Sequence, residues 1–505
     1  MAIMSRAQEQ FKPTPLDVLI IGAGLSGIGA ARALTDQCPD KRYLILERRN
    51  AIGGTWDLFR YPGIRSDSDM YTLSYSYKPW THRKAIADGP DIKQYIEDIA
   101  EESGIGHNIR FQRKVTQASW SSADALWTVT ALATDAQGIE HEEQFQARLL
   151  SVCAGYYSYD EGYRPDFPNE QAFTGQMIHP QFWPAELDYA GKRVVVIGSG
   201  ATAVTLVPAM AKTAAHVTML QRSPSYVVSR PLEDGIAQGL QKWLPMPLAH
   251  RMTRWKNVLL GMAFFRYCRS KPEKAKKLIL RGVREQLGPD FDIGKHFTPK
   301  YNPWDQRLCL VPNGDLFDAL KDGSASVVTD HIDCFTENGI RLESGHELEA
   351  DLIVTATGLN LKVLGGLNIS VDGRTVDLSE TMTYKGMMYA DVPNLASAFG
   401  YTNASWTLKC DLTCEYVCRI LNRMDETGDR QATPRLTDPT VREVPWLDFS
   451  SGYVQRSLDK FPKQGSKKPW KLHQNYALDI VALKFGQVDD GVMEFSRPAP
   501  ARLAS

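Results

Sequence analysis

The chain has 505 residues, 43% of them hydrophobic, with 58 Lys or Arg against 59 Asp or Glu. That length accommodates two or three domains, and a net charge of −1 gives the whole chain no electrostatic attraction for nucleic acid. No charged-then-apolar leader opens it, and no apolar run approaches the roughly 20 residues that span a bilayer. Val258 to Phe265 comes nearest and is too short. A cytoplasmic location with reduced thiols is therefore expected for the eight cysteines, none of which forms a Cys-x-x-Cys pair.

After a polar lead-in to about Pro15, the β-branched run Val18 to Ile21 meets Gly22-Ala23-Gly24-Leu25-Ser26-Gly27. The next strand-like run, Tyr43 to Leu46, stops at Glu47. Glycines between a strand and a helix let the backbone approach a pyrophosphate at the helix N-terminus. An acid after the second strand accepts hydrogen bonds from ribose hydroxyls and repels a ribose phosphate. Gly22, Gly24, Gly27 and Glu47 are thus candidates to hold FAD.

A helix is expected over Pro90 to Ser103. Strands follow at Val115 to Trp120, Trp127 to Ala133 and Phe145 to Leu149, an antiparallel meander attached to the first nucleotide unit. Leu149 to Gly155 reads as a buried strand ending in a small-residue turn.

The fingerprint recurs at Gly198-Ser199-Gly200-Ala201-Thr202-Ala203, after Val194 to Ile197. Ala203 stands in place of its third glycine, which the pattern allows. The following strand, His216 to Gln221, runs into a base, Arg222. A base there accepts the 2′-phosphate of NADP, so Gly198, Gly200, Thr202 and Arg222 are candidates to hold NADPH.

From Arg251 to Arg284 the chain carries eleven Lys or Arg and one acid, Glu273, with apolar residues interleaved. The favoured reading is a solvated basic helix pair packed on the NADP unit and helping to hold an anionic cofactor. Peripheral membrane contact is the alternative. Glu349 to Gly358 is again a buried strand running into a small-residue turn, and Arg430 to Glu443 reads as a loop. Cys410, Cys414 and Cys418 share one helical face and are expected as small core residues, with no metal role.

The fold class expected is α/β: two Rossmann-type dinucleotide-binding domains, with a helical insert in the second. Residues 1–155 and 370–505 form the FAD domain, 170–222 and 301–368 the NADP domain, and 223–300 the insert.

Between the two nucleotide units stands Phe173-Thr174-Gly175-Gln176-Met177-Ile178-His179-Pro180-Gln181-Phe182-Trp183-Pro184. It resembles the Phe-x-Gly-x-x-x-His-x-x-x-Trp-Pro fingerprint of type I Baeyer–Villiger monooxygenases. Gly53-Gly54-Thr55-Trp56, followed by Tyr61-Pro62-Gly63 and Asp67, matches a second fingerprint of that family. Pro299 to Cys309 is similar to the ethionamide-activating monooxygenase branch. The resemblance implies an FAD- and NADPH-dependent monooxygenase. It would turn ketones, open-chain aliphatic ones in this branch, into esters or lactones through a flavin peroxide, with sulfoxidation as a side activity.

Arg307 matches the family's active-site arginine and Asp67 its carboxylate partner. A fixed cation beside the developing oxyanion lowers the barrier, and a carboxylate orients the guanidinium. The resemblance assigns His179 to a hinge between domains, with Phe173, Gly175 and Trp183 as packing and hinge elements, and places Trp56 at the cofactor. Trp56, Phe59, Tyr61 and Trp406 are candidates for an apolar pocket over the flavin, and Asn403 for its lining. Gln306 stands where many relatives have a second base for the NADP phosphate, which leaves more of the discrimination to Arg222. Three alternatives stay open: a flavin enzyme limited to N- or S-oxygenation of soft nucleophiles, a disulfide or quinone reductase, and a non-catalytic membrane module. The disulfide version lacks a cysteine pair between Ala51 and Asp67.

Overall fold

The computed structural model describes residues 14–447 and 449–498. All but the last two residues of the polar lead-in lie outside the described residues.

Two sheets organise the chain. In the first, β1 (Leu16–Ile21) lies between β2 (Tyr43–Leu46) and the long β5 (Glu140–Val152), all parallel, with α1 (Leu25–Gln37) returning between β1 and β2. Leu19 and Ile20 are fully buried, as strands covered on both faces require. α2 (Gly89–Glu102) covers this unit. β3 (Arg113–Ser121), β4 (Leu126–Thr134) and β5 then form the expected antiparallel meander. Burial alternates residue by residue along β4, the signature of a sheet with one covered face.

The second sheet is wholly parallel. Its strands are β7 (Gln176–Ile178), β8 (Arg193–Ile197), β9 (His216–Gln221), β10 (Ala325–Thr329) and β11 (Leu352–Thr355), in the order β10-β9-β8-β11-β7, with α3 (Ala201–Met210) after β8. Two connectors join the sheets, β6 (Tyr157–Gly162) and β12 (Leu359–Leu361), and they pair antiparallel with each other. The chain then returns to the first sheet, where β13 (Asn368–Val371) pairs with β3 and β14 (Leu395–Ser397) with β5.

The insert holds α4 (Gly235–Trp243), α5 (Met246–Ser270) and α6 (Pro272–Leu287). Its placement corrects the expectation of a pair packed on the second unit. α6 does contribute Val283 to that unit's core. α5 docks on the first: the buried Arg254 donates to the carbonyls of Tyr71, Thr72 and Ser74, and Asn257 donates to Asp69 at 2.8 Å. The segment read as a loop contains a buried strand, Gln431–Pro434, paired antiparallel with Met493–Ser496. α7 (Trp406–Thr427) packs against α1 and buries Cys410, Cys414 and Cys418.

Candidate functional site

The first glycine turn is tight for the protein's own reasons at two positions. Gly22 has φ +104°, and a Cβ there would sit 2.6 Å from the Cys153 carbonyl oxygen. A Cβ on Gly27 would sit 1.8 Å from the Gly22 oxygen, so the helix can approach the strand only as glycine. Gly24 caps α1 with no side-chain capping bond and lines the cleft, and a Cβ there would stand 3.4 Å from the Gly54 Cα. Glu47 is buried behind this turn. Its Oε2 accepts from the Ala23 N–H at 2.7 Å and its Oε1 from the Arg49 N–H at 2.8 Å, while burial pushes its carboxyl up. Glu47 therefore braces the turn as well as facing a cleft of about 280 Å3, lined also by Gly22, Gly24, Trp56 and Trp406. A helix end at the cleft, close backbone approach and a buried acid fit the pyrophosphate and ribose of a dinucleotide.

The second turn repeats the design with one difference. Gly198 has φ +145°, and a Cβ there would lie 2.3 Å from the Ala356 oxygen. Gly200 has nothing within 4 Å of that position, so the turn is open on that side. Thr202 stands in the first turn of α3, within hydrogen-bonding reach of the Tyr61 hydroxyl. Arg222 is exposed at the end of β9. A second arginine stands close to it. The Arg456 guanidinium lies 3.4 Å over the Tyr163 ring, and its pKa is lowered by burial and further by the charge of Arg222. Neither has a carboxylate partner among the described residues. Sequence reasoning missed Arg456, which sits in no motif and far from both fingerprints.

The loop from Gly53 to Asp67 ties the two units together. Gly53 and Gly54 have φ +124° and +57°. The buried Asp57 anchors the loop through Arg49 at 2.6 Å, Lys93 at 2.8 Å and Arg60 at 3.0 Å. Phe59 and Tyr61 then enter the core of the second unit. This corrects the expected apolar pocket: of its four aromatics, Trp56 and Trp406 line the cleft and the other two are interdomain packing. Gly63, at φ +76°, presses on α3, where a Cβ would meet the Ala209 methyl at 2.7 Å.

The loop ends at Asp67, against Arg307. Nε of the guanidinium is 2.8 Å from Oδ2 and Nη2 is 3.3 Å from Oδ1, a two-pronged contact. The carboxylate holds the guanidinium well above its ordinary pKa, so Arg307 stays charged. Both side chains keep about a third of their surface accessible, 33% and 31%. They face two cavities at once, the 280 Å3 cleft and a larger one of about 630 Å3, which share Asp67, Ser68, Arg307 and Ala404. Beside them Tyr156 stacks on Trp406, with ring centroids 5.1 Å apart at 15°, and the Trp406 indole donates to Ser26 Oγ at 2.8 Å. Asn403 lines the larger cavity and donates to the Gln474 carbonyl at 3.0 Å.

His179 lies at the connectors. Its Nε2 donates to the Gly358 carbonyl at 3.1 Å, and its Nδ1 accepts from the Gln181 N–H at 3.2 Å. Its ring fills the space where a Cβ on Gly162 would stand. Burial lowers its pKa, which keeps the neutral tautomer these bonds require. Phe173 packs edge-on against Phe335, and Trp183 against Tyr189. A Cβ on Gly175 would strike Phe173 at 2.4 Å.

The flavin-binding monooxygenase-like family matches residues 16–241. The FAD-containing monooxygenase EthA of Mycobacterium tuberculosis is 54% identical over 487 residues, covering 96% of this chain and 99% of its own. A steroid monooxygenase structure bound to NADP superposes with TM-score 0.73 at 22% identity, covering 96% of this chain and all of that one. A cyclohexanone monooxygenase structure superposes with TM-score 0.72 at 21% identity over 95% of this chain and 99% of its own. Those two likenesses concern the α/β fold of paired dinucleotide-binding domains. By the extent and identity of its match to relatives, the chain belongs to the flavin-binding monooxygenase-like family and is a flavin-dependent monooxygenase.

Proposed function

We propose that the protein is a Baeyer–Villiger monooxygenase, using NADPH and O2 to convert ketones, open-chain aliphatic ones first, to esters or lactones, with sulfoxidation of thioethers as a side activity. One observation carries this reading: the Arg307–Asp67 pair stands at the wall common to two cavities. In this reading FAD occupies the cleft along Gly22, Gly24, Gly27, Glu47 and Trp56, within residues 1–155 and 370–505. NADPH lies along Gly198, Gly200, Thr202 and Arg222, within 170–222 and 301–368, with residues 223–300 as the insert.

FAD held along Gly22, Gly24, Gly27 and Glu47 would supply, with NADPH and O2, the activated oxygen atom. The chain does the rest. Arg307 presents a permanent cation to the oxygen of the ketone carbonyl as it gains negative charge, and Asp67 keeps the guanidinium from swinging away. Trp56, Trp406 and Tyr156 narrow the cleft and exclude water. His179, bonded to one connector and packed on the other, couples the positions of the two sheets. Slower flavin reduction in His179→Ala, with unchanged FAD content, is the readout of that role. The location proposed is cytoplasmic, with peripheral membrane contact through the basic insert as the alternative.

The second reading, oxygenation limited to soft nitrogen or sulfur nucleophiles, makes less use of a fixed cation. Ester yield from 2-octanone against sulfoxide yield from thioanisole separates the two. Sulfoxide without any ester refutes the first.

A further inference from the structure

The larger cavity has an unusual rim. Val258, Met262 and Phe265 of α5 line it from one side and Tyr476 from another. On its outer side the same helix exposes Leu248, Met252, Trp255 and Leu259, at the three-and-four spacing of a single helical face. α4 adds Ile236 and Trp243, the latter 87% exposed. The segment that continues from Tyr476 adds Leu478, Val481 and Phe485, again at helical spacing and exposed. The Trp255 and Tyr476 rings meet at 5.8 Å, joining the two stripes beside the cavity that Tyr476 lines. Single exposed apolar residues are ordinary, but aligned stripes beside a cavity mark a contact surface.

Charge selects what makes the contact. Arg251 flanks the α5 stripe and Arg266 lies two helical turns beyond Leu259, while Lys271, Lys274 and Lys277 continue into α6. None of the five has a carboxylate partner among the described residues. A second copy meeting this face through a two-fold axis would set bases against bases. A lipid leaflet supplies both an apolar interior and anionic headgroups. Among the described residues no helix is long and apolar enough to cross a membrane, so contact would be at the surface.

We infer that the stripes on α4, α5 and 478–485 dock on an anionic lipid leaflet, so that the larger cavity takes apolar ketones directly from the bilayer. The docking stands on the rim alone; the ketone rests on the function proposed above. The test is flotation of the FAD-loaded full chain with vesicles of phosphatidylcholine, with and without phosphatidylglycerol. The wild type floats with the anionic vesicles and far less with the neutral ones. Met252→Glu with Leu259→Glu abolishes flotation, and Arg251→Gln lowers partitioning to anionic vesicles about fivefold. Circular dichroism and FAD content stay at wild-type values, which separates lost docking from lost folding. Turnover of a long-chain ketone held in vesicles falls at least about tenfold in the double variant, while that of a water-soluble ketone is unchanged. Absence of flotation by the wild type overturns the inference. So does a wild-type dimer in sedimentation that the double variant breaks, with no vesicle binding. Flotation needs no substrate, so a chain that floats and oxidises no ketone refutes the ketone reading and leaves the docking face standing.

Discussion

Arg307 and Asp67 are 240 positions apart in the chain, yet the guanidinium meets the carboxylate through two prongs, at 2.8 and 3.3 Å. Asp67 arrives on the glycine-rich loop after β2, Arg307 on the segment after the insert, and both face the larger cavity and the cleft. Each unit of the fold thus contributes one half of the pair.

If Asp67 acts by holding Arg307, Asp67→Asn keeps a hydrogen-bond acceptor but removes the opposite charge. Ester formation should fall by ~10- to 100-fold, as expected of a group that positions the charged donor. Flavin reduction by NADPH should change little. Equal loss in both half-reactions, measured by stopped flow, would place Asp67 elsewhere in the mechanism.

The two glycines of the second turn separate folding from binding. Gly198→Ala forces a methyl onto the Ala356 carbonyl at a positive φ, and it should lower thermal stability by ~2 kcal/mol or more. Gly200→Ala meets empty space, so its melting temperature should stay near wild type while the KM for NADPH rises at least about tenfold. Thermal melts paired with NADPH titration check both.

Arg222 and Arg456 stand close enough for the charge of one to lower the pKa of the other, and in the proposed reading both meet the 2′-phosphate of NADPH. Arg222→Ala should raise the KM for NADPH far more than for NADH, and Arg456→Ala should do the same to a smaller degree. Steady-state kinetics with both coenzymes measures this. An equal effect on both coenzymes would remove the 2′-phosphate from either arginine.

Docking of α5 should weaken in mild acid. His250 is buried against Ser74, at 3.0 Å, and beside Arg254, and burial with that neighbouring charge pulls its pKa down to about 4. The unfolded chain binds the proton more tightly, so this contribution is fully present above about pH 6.5 and is lost as pH falls toward about 4, by about 3 kcal/mol in total. Asp411, raised to about 6 by burial, has the opposite slope. The readout is therefore the difference in denaturant melts between wild type and His250→Gln across that window, which should shrink as pH falls.

What could be read beforehand follows from how local the signal is. Both nucleotide turns are local: continuous β-branched runs, glycines and a charged residue at the next strand end. The meander is legible because apolar residues fall at every second position along it, as Trp127, Val129, Ala131 and Ala133 do. The strand Gln431–Pro434 was not, since polar residues buried by long-range pairing leave no apolar pattern. Phe59 and Tyr61 sit in a motif whose sequence does not say which unit their rings enter. Arg456 belongs to the site only because the chain returns from far away, and the docking of α5 on the first unit depends on Arg254 reaching three carbonyls that no spacing announces.

The most direct test of the account is Arg307→Ala, assayed for ester formed and NADPH consumed on the same ketone. The predicted result is loss of ester by ~100-fold or more, with FAD content intact and NADPH still oxidised as hydrogen peroxide is released. Undiminished ester formation in that variant would contradict the assignment of Arg307 as the cation that serves the reaction.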